Sequence, residues 1–247
     1  MIFAEPEAFS ERYSCEFFSF QGKEAVVVTP PGTPNGFLVL KTIYFGIFPA
    51  LEMHLLDIGY HVAYVDSNGR YGREDDLERM AAFISFITDT YGLQRKAVLI
   101  GMSAGGACAI KLAALHPDLV CAMYLDNPVV DVLSCPMGLG SSTSKENLDG
   151  KKEFLRYLML DQSSVLSYRL GPVDHLERLL HARIPIVLVY GTDDRLVPFC
   201  ENAKLVSDLY CVNNIPILII PKVGCGHHPH GVQDDKKVIE FLKKYQA

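Results

Sequence analysis

An α/β chain, with a mostly parallel sheet covered by helices on both faces, is the fold class this sequence predicts. Three observations lead there. From residue 37 onward, short apolar runs alternate with helix-length amphipathic stretches, and strands joined through helices pair in parallel. The chain has 247 residues, 49% hydrophobic and 21% charged, which suits one large domain with a substantial core. The turn Gly101-Met102-Ser103-Ala104-Gly105-Gly106 stands between an apolar strand-like run, Ala97 to Ile100, and a helix-like run, Ala107 to Leu115.

Taken in order, Tyr13 to Phe20 and Glu24 to Thr29 read as two strands joined by Gln21-Gly22. Pro30 to Gly36 is a loop by composition. Phe37 to Leu40 is a buried strand, and Phe48 to Ile58 a helix that stops at Gly59. His61 to Val65 is the next strand, with a loop from Asp66 to Gly72. Asp75 to Thr90 places Leu77, Met80, Ala81, Ile84 and Ile87 on one helical face. After the Gly-rich turn and its helix, Val120 to Leu125 is a strand. Residues 128–170 break the pattern with Ser, Gly and Lys clusters and a helical piece from Lys151 to Leu160. This stretch is too short for a core of its own and reads as an excursion over the sheet edge, a lid within a single domain spanning 1–247. Val173 to Ala182 is a helix, Ile186 to Tyr190 a strand, Glu201 to Val212 a helix, Ile217 to Ile220 a strand and Lys236 to Tyr245 a final helix.

Composition excludes several functions. Net charge is -6 with a pI near 5.7 and no basic cluster, so nucleic acid is not an expected partner. No apolar run approaches the length of a membrane span, so no membrane is expected either. Met1 to Ser10 carries Glu5 and Glu7 and no basic residue, unlike a secretory signal. Seven scattered cysteines, an odd number, read as reduced thiols in a cytoplasmic setting.

The Gly-rich turn carries the chemistry. A strand, Gly-x-Ser-x-Gly and a helix form the context in which a serine hydroxyl is held above a sheet edge by a tight, strained turn. Glycine at 101 and 105 avoids collisions that side chains would cause there. The Ala104 amide then points from a helix N-terminus to where negative charge would develop. A serine hydroxyl is a weak nucleophile and needs an adjacent base. Two later loops supply partners, each just after a predicted strand. Gly191-Thr192-Asp193-Asp194-Arg195-Leu196-Val197-Pro198 offers a carboxylate to orient an imidazole. Gly224-Cys225-Gly226-His227-His228-Pro229-His230-Gly231 offers three of the eight histidines in four residues. A metal site is the rival reading of that tract. It is set aside because no second group of ligands elsewhere completes a shell, so neither metal nor organic cofactor is expected. Asp126, at the end of the preceding strand, is the reserve acid. Serine, acid, histidine is one of the known chain orders of a catalytic triad.

With these residues the sequence resembles the α/β-hydrolase family, from about Glu24 to Leu242. Tyr44-Phe45-Gly46, Asn68-Gly69-Arg70-Tyr71-Gly72, Asp126 to Asp131 and the His-rich loop are also similar to a subgroup of bacterial esterase-like members, some linked to polysaccharide breakdown. The resemblance implies the α/β-hydrolase fold, with Ser103 as nucleophile, Asp194 as acid and His227 as base. It implies a second oxyanion-hole amide from the loop after Leu40, where many members carry His-Gly and this chain has Lys41-Thr42-Ile43-Tyr44. Tyr44 and Ile43 join Ala104 as the candidates. The expectation is a serine esterase acting on a small-molecule, short-acyl ester through an acyl-enzyme. A peptidase or acyltransferase on the same triad, or a non-catalytic receptor, is the alternative. Phe154, Leu155, Leu158 and Met159 are expected to face the pocket, and Lys151, Lys152 and Arg156 water.

Overall fold

The computed structural model describes residues 4–246. Eight strands form one sheet in the order β1-β2-β4-β3-β5-β6-β7-β8. A short helix, α1 (Glu7–Ser10), precedes the hairpin of β1 (Ser14–Phe20) and β2 (Lys23–Thr29). Gln21 and Gly22 both take positive φ, 49° and 75°, the backbone a two-residue hairpin turn requires. The hairpin pairs antiparallel to β4, and every later neighbouring pair is parallel.

The parallel part runs β3 (Leu38–Lys41), α2 (Ala50–Asp57), β4 (His61–Val65), α3 (Glu74–Tyr91), β5 (Ala97–Met102), α4 (Ala104–Leu115) and β6 (Val120–Asp126). It continues through α5 (Leu148–Tyr157), α6 (Leu176–Ala182), β7 (Ile186–Gly191), α7 (Ala203–Val212), β8 (Ile217–Lys222) and α8 (Lys236–Tyr245). The central strands β3, β4, β5 and β6 are buried along their whole length, as a parallel sheet with both faces covered requires. The five apolar residues expected on one face of α3 are all buried there, and Gly92 caps the helix at φ 64°. Ala104 to Ala114 of α4 are all buried, which explains why that helix is apolar and mostly small-residued apart from Lys111, whose ammonium donates to the Gly72 carbonyl.

Several element boundaries differ from expectation for local reasons. The helical piece expected over Lys151 to Leu160 runs from Leu148 to Tyr157, because the Asn147 side chain accepts from the Gly150 amide and caps it earlier. The helix expected from Phe48 begins at Ala50, because Phe48 sits at φ 50° and Pro49 takes the cap position. The helix expected from Val173 splits into a 3-10 turn, Pro172–His175, and α6. The one expected from Glu201 is a 3-10 turn followed by α7, with Asn202 between them. Among the described residues, no helix is long and apolar enough to cross a membrane. All seven cysteines are free.

The carboxyl ends of β5, β6, β7 and β8 lie side by side, so Met102, Asp126, Gly191 and Lys222 open onto one edge. The loops that follow them build the site.

Candidate active site

Ser103 follows β5 directly and has φ 52° and ψ −122°, a strained backbone for a residue with a Cβ. Its amide donates to the Asp126 carbonyl at 3.0 Å, and its own carbonyl accepts from Gly106 and Val129 at 3.0 and 2.9 Å. The turn is thus fixed from both sides. A Cβ on Gly101 would stand 2.7 Å from the Gly105 oxygen. One on Gly105 would meet Thr42 Oγ1 at 3.1 Å and Ile43 Cβ at 3.3 Å, a tight approach without outright collision. The third glycine has the strictest demand, since a Cβ on Gly106 would lie 2.4 Å from Pro128 Cβ. The sequence pattern alone could not assign that role, because Pro128 lies on another strand's loop.

Ser103 Oγ is 2.9 Å from His227 Nε2, and His227 Nδ1 is 2.7 Å from Asp194 Oδ2. The other oxygen of Asp194 accepts from the Leu196 and Val197 amides, both at 2.9 Å. Asp193 is exposed, and its carboxylate accepts from Thr192 Oγ1. Asp194 and His227 are buried, at 6% and 8% exposure, while Ser103 stays half-buried. Asn127, at φ 46°, links three of the loops. Its side chain donates to the His227 carbonyl at 2.9 Å and accepts from the Gly191 amide at 2.8 Å. Sequence reading missed Asn127, since an Asn after a strand signals only a turn.

Asp126 does not approach His227 in this way. It lies one strand over and takes His230 Nδ1 at 3.2 Å, Lys222 Nζ at 3.0 Å, the Gly231 amide at 2.6 Å and Tyr124 Oη at 3.2 Å. Burial works to raise this carboxyl, and the His230 contact, the Lys222 charge and the Gly231 amide outweigh it, holding Asp126 below its ordinary range. Burial lowers His230 despite that carboxylate, and it also lowers His228, assisted by the neighbouring imidazoles. The rings of 227, 228 and 230 pack mutually edge-on, with centroids 4.8 to 5.0 Å apart.

Ser103 opens onto two cavities. The larger, about 290 Å³, is lined by Tyr44, Phe48, Arg70, Leu196 and the three histidines among others. The smaller, about 80 Å³, shares Tyr44, Arg70 and Leu196 and continues past Ala104 toward Cys135, Ser144 and Gly150. Tyr44, at φ 64°, therefore reaches the site, whereas the Ile43 side chain is wholly in the core and leaves only its backbone for any role there. Thr42 Oγ1 donates to the Gly105 carbonyl at 2.7 Å and ties this loop to α4. Lys41, where the resemblance led one to look for His, is fully buried in an ion pair with Glu52 beneath the loop.

Comparison with known proteins follows the same lines. Residues 25–158, more than half of the chain, match the alpha/beta hydrolase fold family. The chain belongs to that family. Among curated relatives, a 2-hydroxy-6-oxononadienedioate/2-hydroxy-6-oxononatrienedioate hydrolase of Burkholderia vietnamiensis is 26% identical, with 75% of this chain and 77% of that protein covered. The acylamino-acid-releasing enzyme of Mus musculus is 24% identical over 80% of this chain, which spans only 28% of that enzyme. Among solved structures, acylaminoacyl peptidase of Pyrococcus horikoshii superposes with a TM-score of 0.72 at 13% identity, covering 98% of this chain and 43% of that one. At such identity the superposition speaks for the fold.

In this alpha/beta hydrolase the helix of the excursion between β6 and α6 packs into a satellite core against the body. Phe154 is fully buried against Tyr71 and Tyr168, and Leu155 and Leu158 pack on the same satellite core. Met159 is 80% exposed, which corrects the expectation that these four face the pocket. Helical amphipathicity does not distinguish a pocket from a satellite core. Tyr157 Oη donates to Asp76 Oδ2 at 2.8 Å, and Arg70 pairs with Glu153 through Nε at 2.8 Å. The excursion reaches the smaller cavity through Cys135, Pro136, Ser144, Asn147 and Gly150 instead.

Proposed function

We propose that the protein is a serine hydrolase that cleaves carboxylic esters, preferentially short-acyl ones, through an acyl-enzyme. The observation that carries this reading is the hydrogen-bonded run from Ser103 through His227 to Asp194, placed where two cavities meet. As Ser103 Oγ attacks the ester carbonyl, His227 Nε2 takes its proton and Asp194 holds the imidazolium. The Ala104 amide and an amide of Ile43 or Tyr44 stabilise the oxyanion, and removing one such donor typically costs roughly a hundredfold in rate. His227 then protonates the leaving alcohol, and water releases the acid by the reverse path.

The smaller cavity, about 80 Å³ beside Ala104, suits a short acyl group, and the larger one a bulkier leaving group. The excursion 128–170, through Cys135, Ser144 and Gly150, sets that acyl limit in this reading. The odd, scattered set of seven cysteines suits a reducing, cytoplasmic setting in this reading. No cofactor is invoked.

A second reading, hydrolysis of an acylated amide or peptide bond on the same triad, is favoured by the names of the mouse and Pyrococcus relatives. Matched p-nitrophenyl esters of two to twelve carbons, feruloyl and acetyl esters, and aminoacyl and acylaminoacyl amides separate the two. The ester reading predicts turnover falling with acyl length. Preference for long acyl chains contradicts the short-acyl limit, and amides cleaved faster than their matched esters make the second reading the better one. Absence of both turnover and fluorophosphonate labelling would leave a receptor.

A further inference from the structure

The His-rich loop holds more than a base. His227, His228 and His230 each bring a ring nitrogen to within 4.8 Å of the other two. Two of the three are oriented in the way metal-binding histidines are. His227 turns Nδ1 to Asp194 at 2.7 Å and His230 turns Nδ1 to Asp126 at 3.2 Å, so both direct Nε2 away from their carboxylates. A carboxylate behind the imidazole fixes the tautomer and raises the basicity of the other nitrogen, which is the usual backing of a metal-ligating histidine. All three line the larger cavity, so a hydrated ion has a path in. Phe48 packs against His228 and His230, with ring centroids 5.9 and 5.5 Å away, and forms an apolar wall beside them.

We propose that His227, His228 and His230 bind a divalent transition metal, zinc in the first instance, and that the bound ion switches the hydrolase off. Three imidazoles with no hard oxygen ligand suit zinc rather than magnesium or calcium. In a tetrahedral site with Zn–N bonds of about 2.0–2.1 Å, ligand nitrogens stand about 3.4 Å apart. His228 is exposed, and the three ring nitrogens, already within 4.8 Å of one another, draw together as the ion binds. Water takes the fourth position. The inhibition follows from electron-pair arithmetic. The lone pair on His227 Nε2 that accepts the Ser103 proton forms the bond to the metal instead, and the 2.9 Å hydrogen bond to Ser103 is broken. No oxidation or covalent change is involved, so a chelator restores the original state. The inhibition rests on the catalytic reading above, whereas the metal binding does not.

Chelator-stripped protein is titrated with zinc chloride by calorimetry, as wild type, Ser103→Ala and His228→Ala. The expected result is one zinc per chain in wild type and Ser103→Ala, and affinity about tenfold or more weaker in His228→Ala. Cobalt chloride gives a four-coordinate visible spectrum with wild type and not with His228→Ala. His228→Gln and a melting curve for each variant separate ligand loss from misfolding. Absence of stoichiometric zinc in wild type, or undiminished affinity in both folded His228 variants, overturns the proposal whatever the enzyme hydrolyses. In the activity arm, zinc inhibits ester turnover with a midpoint that matches the calorimetric affinity and shifts upward by the same factor in His228→Ala. Inhibition unchanged in that variant overturns the switch.

Discussion

Two carboxylate–histidine pairs stand on neighbouring strand ends, Asp194 in the loop after β7 with His227 and Asp126 at the end of β6 with His230, and their surroundings differ. Asp194 receives two loop amides and one imidazole, and that imidazole presents its other nitrogen to Ser103. Its hydrogen bonds therefore end on a hydroxyl in a cavity. Asp126 receives an ammonium, an amide, a phenol and an imidazole. Its charge is balanced on the spot, and its contacts join β6, β8 and the His-rich loop. On the proposed reading, the same two side chains make a catalytic mount or a brace according to where the second imidazole nitrogen points and what else shares the carboxylate.

The largest effect that separates them is on turnover. Asp194→Asn is expected to lower kcat by roughly ten-thousandfold, since the amide favours the wrong imidazole tautomer, with the melting temperature little changed. Asp126→Asn should do the reverse. It leaves Lys222 facing a neutral group at a mostly buried site, a loss of about 3 kcal/mol, and lowers the melting temperature by several degrees with a much smaller fall in kcat. Steady-state kinetics and thermal melts on both variants decide it, and a reversed pattern exchanges the two roles.

A comparable stability loss without a change in selectivity is expected within the excursion. Phe154→Ala empties a fully buried site and should cost about 3–5 kcal/mol, while the acyl-length profile of the surviving protein stays as in wild type. A changed profile would return Phe154 to the pocket.

Much of this was legible from local sequence. Strands and helices alternate visibly because each parallel strand is buried on both faces and reads as an apolar run. The elbow is legible because its turn demands particular residues at particular offsets. Asp194 and His227 are legible because both follow strands whose ends must lie on one edge. What the sequence hid depends on contacts across the sheet. Lys41 and Glu52 pair eleven residues apart inside the core, and Asp126 is committed to His230 and Lys222 from β8 and its following loop. Gly106 is required by Pro128, and Asn127 by the His227 and Gly191 backbones. None of these has a periodic or spacing signature.

A smaller effect tests burial away from both pairs. His61 and His175 are held below their ordinary value of 6.5, by burial first in each case. A base whose folded pKa is depressed takes up less proton than the unfolded chain, so the stability this represents is lost as pH falls through and below about 6.5. Melting temperature should decline from pH 7.5 to 5.5, and His61→Gln should reduce the slope. A slope unchanged in that variant would remove His61 from the account. The smallest effect is Met159→Ala, expected to change stability by less than about 0.5 kcal/mol and turnover not at all, since its side chain lies in solvent. An altered acyl profile there would show that the excursion moves over the site.

The central claim is that Ser103 is the nucleophile mounted by the Asp194–His227 pair. A fluorophosphonate probe tests it directly, because Ser103 Oγ would bond to phosphorus and expel fluoride. Intact-mass analysis should show one adduct per wild-type chain, peptide mapping should place it on Ser103, and both adduct and ester turnover should vanish in folded Ser103→Ala. Wild-type-like turnover in that variant, or an adduct on another residue, would contradict the account.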